Sequence, residues 1–355
     1  IETQGNWGDV RTGDAAAASR YIEARLSKFA LEVAFNAKTT EWQLSYDGRK
    51  NEPVNLPMKF PLLLAQGADG IAVGLSTKIL PHNFCELIDA SIKYLRGKKF
   101  ELFPDFQTGG MIDVSGYNEG KRGGKVRVRA HVEELDKKTL VIRDVPYGVT
   151  TTQLMESITK ANDQGKIKIK KVIDVTAKED EIQIDLAAGI SPDITIDALY
   201  AFTDCEVSIS PNACVIENHK PRFMGVQELL SCSVDNTKHL LKRELEIRLS
   251  ELEDKWHYTS LEKIFFEEKI YKELEQKHET WEHVIEAIDK GFAPFKKKLK
   301  RAIEREDILK LTEKPVRRIY RLDINELNQQ IKGIEADIQQ VNHDLAHLTD
   351  YAVAY

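Results

Sequence analysis

The sequence predicts a mixed α+β, multidomain fold, and three patterns point to it. Short apolar/polar alternations such as "KVRVRAHV" and "DEIQIDL" have the period of β-strands. Amphipathic stretches such as "TTQLMESITKANDQG" have the period of helices and lie between them. Beyond residue 226 glycine becomes rare, and Ile324, Leu327, Ile331, Ile334, Ile338, Val341, Leu345 and Leu348 recur at alternating steps of three and four. That spacing is the a/d seam of a coiled coil.

Residues 1–85 form the first regime. In "GDAAAASRYIEARLSK", Asp14 is placed to cap a helix, and Ala18, Ile22, Leu26, Phe29 and Val33 supply its apolar stripe. Tyr21 falls at the edge of that stripe, in line with Ala17, Arg25 and Lys28, with Arg20 beside it. Downstream, Pro53, Pro57 and Pro61 recur every fourth residue, which a helix interior does not tolerate. "YDGRKNEPVNLPMKFP" is therefore read as extended chain laid over a core.

Residues 86–225 read as an α+β domain. "KVRVRAHV" and "KTLVIRDV" are two strands, with "EELDKK" as a hairpin-like turn between them. The helix of "TTQLMESITKANDQG" ends at Gly165, and "KIKIKKVIDVT" and "DEIQIDL" follow as strands. From 226 onward helical periodicity dominates. Leu241, Leu245, Leu249, Leu252 and Trp256 form a stripe that answers the later heptads. Residues 226–256 and 322–350 are read as antiparallel coiled-coil arms, with a small helical globule at 257–321 between them. An arm of 25 residues is about 40 Å long at about 1.5 Å per residue.

A net charge of −6 on 355 residues excludes a molecule-wide attraction to polyanions, so any nucleic-acid surface is a local patch. Cys85, Cys205, Cys214 and Cys232 include no C-x-x-C pair. With His82 and Cys85 lacking further ligands nearby, a zinc site is not indicated and a reducing cytoplasm fits. No run of 18 apolar residues and no signal peptide is present. The chain opens on Ile1 and reads as a piece of something longer.

No P-loop, G-x-G-x-x-G or H-E-x-x-H occurs, and no D-x-D cluster suits magnesium. If ATP or a metal is used, another chain supplies most of that site. Three basic stretches remain. "KRGGKVRVR" sets Lys121, Arg122, Lys125, Arg127 and Arg129 within nine residues without an acid. Cations on one strand face, about 7 Å apart, suit a phosphodiester backbone, although a charge-guarded edge strand reads the same way. "KIKIKK" resembles an edge guard and "KKKLKR" a solvated face. As for Tyr21, a helical tyrosine is ordinarily packing. A phenol is a weak nucleophile at neutral pH, but neighbouring cations favour its ionised form and stabilise charge on an attacked phosphate.

"QGNWG", "GDAAAASRYIEARLSK", "YDG", "EPVNLPMKFPLLLAQGADGIAVGLSTKILPHN" and "FPDFQTGG", in that order, resemble the breakage-reunion core of the A subunit of bacterial type IIA topoisomerases, gyrase and topoisomerase IV. "IRDVPYGVTTTQLMESI" is similar to a further stretch of the same core. The resemblance spans about residues 4–225. The arms resemble the family only in architecture and depart from the gyrase pattern, which points to the topoisomerase IV branch. The resemblance implies a partial winged-helix DNA-gate domain, an α+β tower, coiled-coil arms and a C-gate globule. It implies that Tyr21 attacks DNA and that Arg20 assists. It makes Ile71 a wedge between base pairs, and Lys121 and Arg122 a DNA-contacting turn. Arg25, Lys28 and Lys125 complete the expected DNA surface, and no metal ligand is assigned. Leu80 in "ILPHN" and Asp69 in "ADGIAVG" depart from the family pattern, and Asp69 weakens any DNA contact carried over to its position. The implied partners are double-stranded DNA, a second copy of the chain, and a B subunit that carries ATP and Mg2+ in an A2B2 assembly. The implied place is the cytoplasm, with the nucleoid and not a membrane. The recognition-helix region and the C-terminal β-pinwheel of the family are not in this sequence, so the chain is expected to hold the nucleophile without cleaving DNA alone. The competing reading is a non-enzymatic DNA-binding coiled-coil scaffold; a weaker one is a protein–protein adaptor with solvated patches.

Overall fold

A computed structural model describes residues 1–9, 13–175, 181–217, 219–274, 276, 280–313 and 324–355. It is a mixed α/β structure with several small sheets and one helix of 42 residues. By its internal contacts the chain divides into two compact units, residues 1–237 and 238–355.

The first unit carries all fifteen strands described. β1 (Glu2–Gln4) pairs antiparallel with β2 (Glu23–Arg25), followed by helix α1 (Lys28–Val33). β3 (Trp42–Leu44) and β4 (Asn51–Pro53) form a ribbon, then α2 (Leu62–Gln66) leads into the hairpin β5 (Ala68–Ala72) and β6 (Leu75–Ile79). After α3 (Phe84–Leu95) come β7 (Met111–Asp113), β8 (Val126–Arg129), β9 (His131–Asp136), β10 (Thr139–Asp144), α4 (Thr151–Asp163), β11 (Ile169–Asp174), β12 (Ile182–Leu186), α5 (Pro192–Phe202) and β13 (Glu206–Ile209). β14 (Cys214–Glu217) and β15 (Lys220–Phe223) make a last ribbon before α6 (Val226–Glu267). The larger sheets have the orders β11-β12-β10-β9 and β13-β8-β7.

Two cores hold this unit. Phe60, Leu64, Leu80, Leu87, Val126, Val128 and Leu230 share one, so sequence-distant segments close on a single apolar centre. Leu140, Ile142, Leu154, Ile158, Ile182 and Ile184 form the other between α4 and its sheet. α4 begins with a capping box: Gln153 N–H donates to Thr150 Oγ1 at 3.2 Å and Thr150 N–H to Gln153 Oε1 at 3.1 Å.

In the second unit α7 (Trp281–Phe292) and α8 (Arg305–Thr312) pack on Leu261 and Phe265 of α6, with Phe292 of α7 in the same core. α9 (Ile324–Ala346) lies antiparallel to α6, since Trp256 Nε1–H donates to Glu335 at 3.0 Å while Lys238 Nζ donates to Thr349 at 2.8 Å. Leu249, Leu252, Trp256, Ile331, Ile334 and Ile338 interlock between them. The seam is not one helix to its end. The backbone departs from helical geometry at His347 (φ −116°, ψ 42°), and α10 (Leu348–Ala354) follows. The sequence boundaries at 321 and 322 lie outside the described residues.

Two expected elements are corrected. The opening stretch is not a helix capped by Asp14. Residues 15–18 form no helix, Ser19–Tyr21 is one 3-10 turn, Glu23–Arg25 is a strand, and only Lys28–Val33 is α-helical, capped by Ser27. Ala18, Leu26 and Phe29 of the expected stripe are exposed. Alanine's helix preference is worth about 0.5 kcal/mol per residue, which non-local pairing overrides. The hairpin is also displaced. Glu133, Glu134, Leu135 and Asp136 belong to β9, the turn shrinks to Lys137 and Lys138, and "KVRVR" joins the other sheet.

Candidate functional site

Tyr21 is placed by a backbone ladder. Ala17 N–H donates to Asn6 O at 3.0 Å and Asp9 N–H to Asp14 O at 3.1 Å. The Ala17 amide and the Asp14 carbonyl, which a helix would use locally, are thus engaged by Asn6 and Asp9. Gly5 and Gly8 permit the approach, with φ of 91° and 80°. A Cβ on Gly5 would lie 2.6 Å from the Tyr21 carbonyl oxygen, and one on Gly8 2.5 Å from that of Asp14. The 3-10 turn closes with Tyr21 N–H donating to Ala18 O at 2.8 Å. Tyr21 is 66% exposed, and the Arg20 guanidinium carbon lies 4.6 Å from its ring centroid, a cation–π stack. Exposure of Tyr21 therefore comes from the turn and not from the edge of a helical stripe.

The other cations are arranged differently from the helical expectation. Arg25 sits on β2 and pairs with Glu2 across the ladder. Lys28 is exposed on the first turn of α1. Ile71 is 92% exposed and Val73 wholly so, at the tip of the β5–β6 hairpin, where Gly74 takes φ 74°. Asp69 is neutralised across this hairpin by Lys78 at 3.0 Å. Asn212 pins the hairpin by backbone bonds in both directions with Lys78 and by donating to Ser76 O.

The third place is the turn before β8. Lys121, Arg122 and Lys125 are all exposed there. Lys121 Nζ donates to Glu119 at 2.8 Å, whereas Arg122 and Lys125 form no ion pair among the described residues. β8 is the centre of its sheet and no edge, and Arg127 and Arg129 share its exposed face as the alternation predicts. They are not free for phosphate. Arg127 pairs with Asp113 at 2.7 Å, and Arg129 pairs with Glu206 while stacking over Tyr200. The Arg127 bond holds the Asp113 carboxyl well below the usual carboxylate range. "KIKIKK" does feed β11, an edge strand.

A groove of about 750 Å³ brings the ladder beside the base of the Ile71 hairpin, lined by Trp7, Gly8, Asp14, Asp69, Lys78 and Thr150 among others. No hydrogen bond, ion pair or ring contact among the described residues joins Tyr21, Ile71 and the Lys121 turn directly. Sequence reasoning missed the residues that build these places. Gly5 and Gly8 were visible only as a glycine pair around Asn6 and Trp7. His82 is buried and bridges Leu64 O and the Tyr117 hydroxyl, each at 3.2 Å. The carbonyl can only accept, so Nδ1 carries the proton and Nε2 accepts from Tyr117. Burial lowers the His82 pKa to about 4.

A family model for the A chains of DNA gyrase and topoisomerase IV matches residues 1–354. The chain belongs to the gyrase/topoisomerase IV A-subunit family. The A subunit of DNA topoisomerase 4 from Borreliella burgdorferi is 39% identical over 355 residues, covering all of this chain and 56% of that protein. The DNA gyrase A subunit of Chlamydia pneumoniae is 34% identical over 277 residues, covering 72% of this chain and 33% of that one. The gyrase A subunit of Brachyspira hyodysenteriae is 31% identical over the same shares. The chain thus spans between a third and about half the length of these relatives. Among the described residues no helix is long and apolar enough to cross a membrane.

Proposed function

We propose that this chain is the DNA breakage-reunion part of a type II topoisomerase A subunit, with Tyr21 as its nucleophile. The reading rests on an exposed tyrosine fixed in a one-turn backbone under Arg20, in a member of this family. In the proposed step the phenolic oxygen bonds to a DNA phosphorus and loses its proton. The bond from phosphorus to the 3′ oxygen breaks, and that strand leaves as a 3′ hydroxyl after taking up a proton. The 5′ phosphate remains on Tyr21 as an ester. One phosphodiester replaces another, so attack by the 3′ hydroxyl reseals the strand without an outside energy source. Arg20 offsets charge growing on the phosphate oxygens.

On this reading Ile71 is the wedge that unstacks a base step, which costs a few kcal/mol and is offset by contacts along the bent duplex. Lys28, Arg122 and Lys125 supply the cationic surface, with Arg25 and Lys121, each paired to a carboxylate, at its border. Two copies would make staggered breaks and pass a second duplex between them, giving relaxation or decatenation in the cytoplasm. No three His, Cys, Asp or Glu side chains converge to hold a metal among the described residues, and Glu2 is engaged by Arg25. Mg2+ and ATP are assigned to a B subunit in an A2B2 complex.

The test combines the full A polypeptide, its B subunit, Mg2+, ATP and supercoiled plasmid, stopped with denaturant. Wild type yields protein-linked DNA and Tyr21→Phe yields none. Adduct persisting in Tyr21→Phe removes the nucleophile assignment, and DNA binding without any wild-type adduct favours a non-covalent scaffold.

A further inference from the structure

The turn before β8 holds two neighbouring cations in unlike states. Lys121 is bonded to Glu119, and each side chain is about half exposed. Arg122 is exposed without an ion pair among the described residues. The backbone under them is unusual: Asn118, Glu119 and Gly120 have φ of 50°, 54° and 71° in succession. Two of these are not glycine, and such a run persists only where surroundings over-determine it.

The surroundings are specific. Tyr117, buried against His82, anchors the turn, with Gly120 N–H donating to its carbonyl at 3.1 Å. Lys121 N–H donates to Asn118 O at 3.0 Å and Lys125 N–H to Gly116 O at 2.7 Å, closing the loop. Gly225 leaves the space into which the ion pair folds. A Cβ there would lie 2.7 Å from Lys121 Cε and 3.0 Å from a Glu119 carboxylate oxygen. Glu228 adds to the negative field at the ammonium.

We infer that Lys121 is a positioning residue: its bond to Glu119, seated on Gly225, fixes the left-handed turn that presents Arg122 to a DNA phosphate. This rests on the DNA-binding reading above. It divides the two cations by role, since a lysine already paired to a carboxylate is a poorer phosphate ligand than an unpaired arginine with a planar fork.

The experiment measures duplex DNA binding by the full A polypeptide across 50–200 mM salt. Arg122→Gln is expected to weaken binding about fivefold and to reduce the salt slope by about 0.9, one phosphate contact. Lys121→Gln weakens it similarly, and Lys121→Gln/Arg122→Gln is no weaker than Arg122→Gln alone. The exchange Glu119→Lys/Lys121→Glu restores binding to within about twofold. Gly225→Ala, which changes no charge, weakens binding while the melting midpoint stays near wild type. Additive losses, or an exchange variant weaker than Lys121→Gln, show that Lys121 itself touches phosphate and overturn the inference. An Arg122→Gln protein that binds like wild type also overturns it. Wild type that shows no salt-dependent binding fails differently, by removing the DNA reading itself.

Discussion

The Gly5 α-carbon faces the carbonyl of Tyr21 so closely that a Cβ at residue 5 would stand 2.6 Å from that oxygen. The proposed nucleophile is thus set by a glycine sixteen residues upstream, through backbone and not through side-chain packing. Gly5→Ala has to move the turn, because the new atom meets main chain and φ is 91°. Plasmid cleavage by the reconstituted enzyme is expected to fall by about a hundredfold, the scale of a 1 Å misplacement, while DNA affinity stays within about threefold. Equal losses in both assays would contradict this positioning role.

Arg20 tests the cation over the ring. Arg20→Gln removes charge and stack together, and single-turnover cleavage is expected to slow by about 10²-fold. Arg20→Lys keeps the charge but not the planar guanidinium, so an intermediate loss is expected. Lysine behaving like glutamine would mean that the stacked geometry matters and charge alone does not suffice.

Ile71 tests the wedge. Ile71→Ala keeps the hairpin, since the β5–β6 register is carried by backbone, yet removes most of the projecting surface. Fluorescence energy transfer across a bound duplex should report a shallower bend, with affinity down by about tenfold. An unchanged bend angle would remove Ile71 from that role.

How much of this was legible in the sequence depended on how local each cause is. The three-and-four spacing was visible because it is set along one helix; Leu327, Ile334, Ile338 and Val341 are buried, whereas Ile324 is exposed and Leu348 lies beyond the break at His347. α4 was visible for the same reason, with its cap at Thr150. The alanine run misled because the Ala17 amide is taken by Asn6, eleven residues upstream, and Asp14 just before the run by Asp9. Likewise the cations on β8 looked free because Glu206 is 77 residues from Arg129. At the candidate site, Tyr21 and Arg20 stood out through the ordered motifs around them, while Gly5 and His82 act through contacts with residues far along the chain that no local pattern displays.

His82 gives a pH prediction. Its pKa is about 4 in the folded chain against 6.5 for the free side chain. Burial of the neutral ring is thus fully stabilising above pH 6.5. Between 6.5 and 4 the unfolded chain takes up the proton first, so stability falls as pH falls, by roughly 3 kcal/mol in total. Urea unfolding at pH 7 and pH 4.5 should show a smaller difference in His82→Gln than in wild type. An identical difference would place the acid sensitivity elsewhere.

Packing between α6 and α9 can be tested at Ile338, which is 6% exposed. Ile338→Ala leaves a cavity beside Trp256 and is expected to cost about 2–4 kcal/mol. Calorimetry should show the transition of the second unit shifted downward. A shift confined to residues 1–237 would contradict the assignment.

If Tyr21 carries the DNA, the point of attachment can be read chemically. Wild-type enzyme is trapped with denaturant on cleaved plasmid, the DNA is digested to a nucleotide stub, and the peptides are sequenced by mass spectrometry. A single nucleotide phosphate adduct is expected, on Tyr21, absent from Tyr21→Phe. An adduct on any other residue, Tyr46 or Tyr147 included, would contradict it.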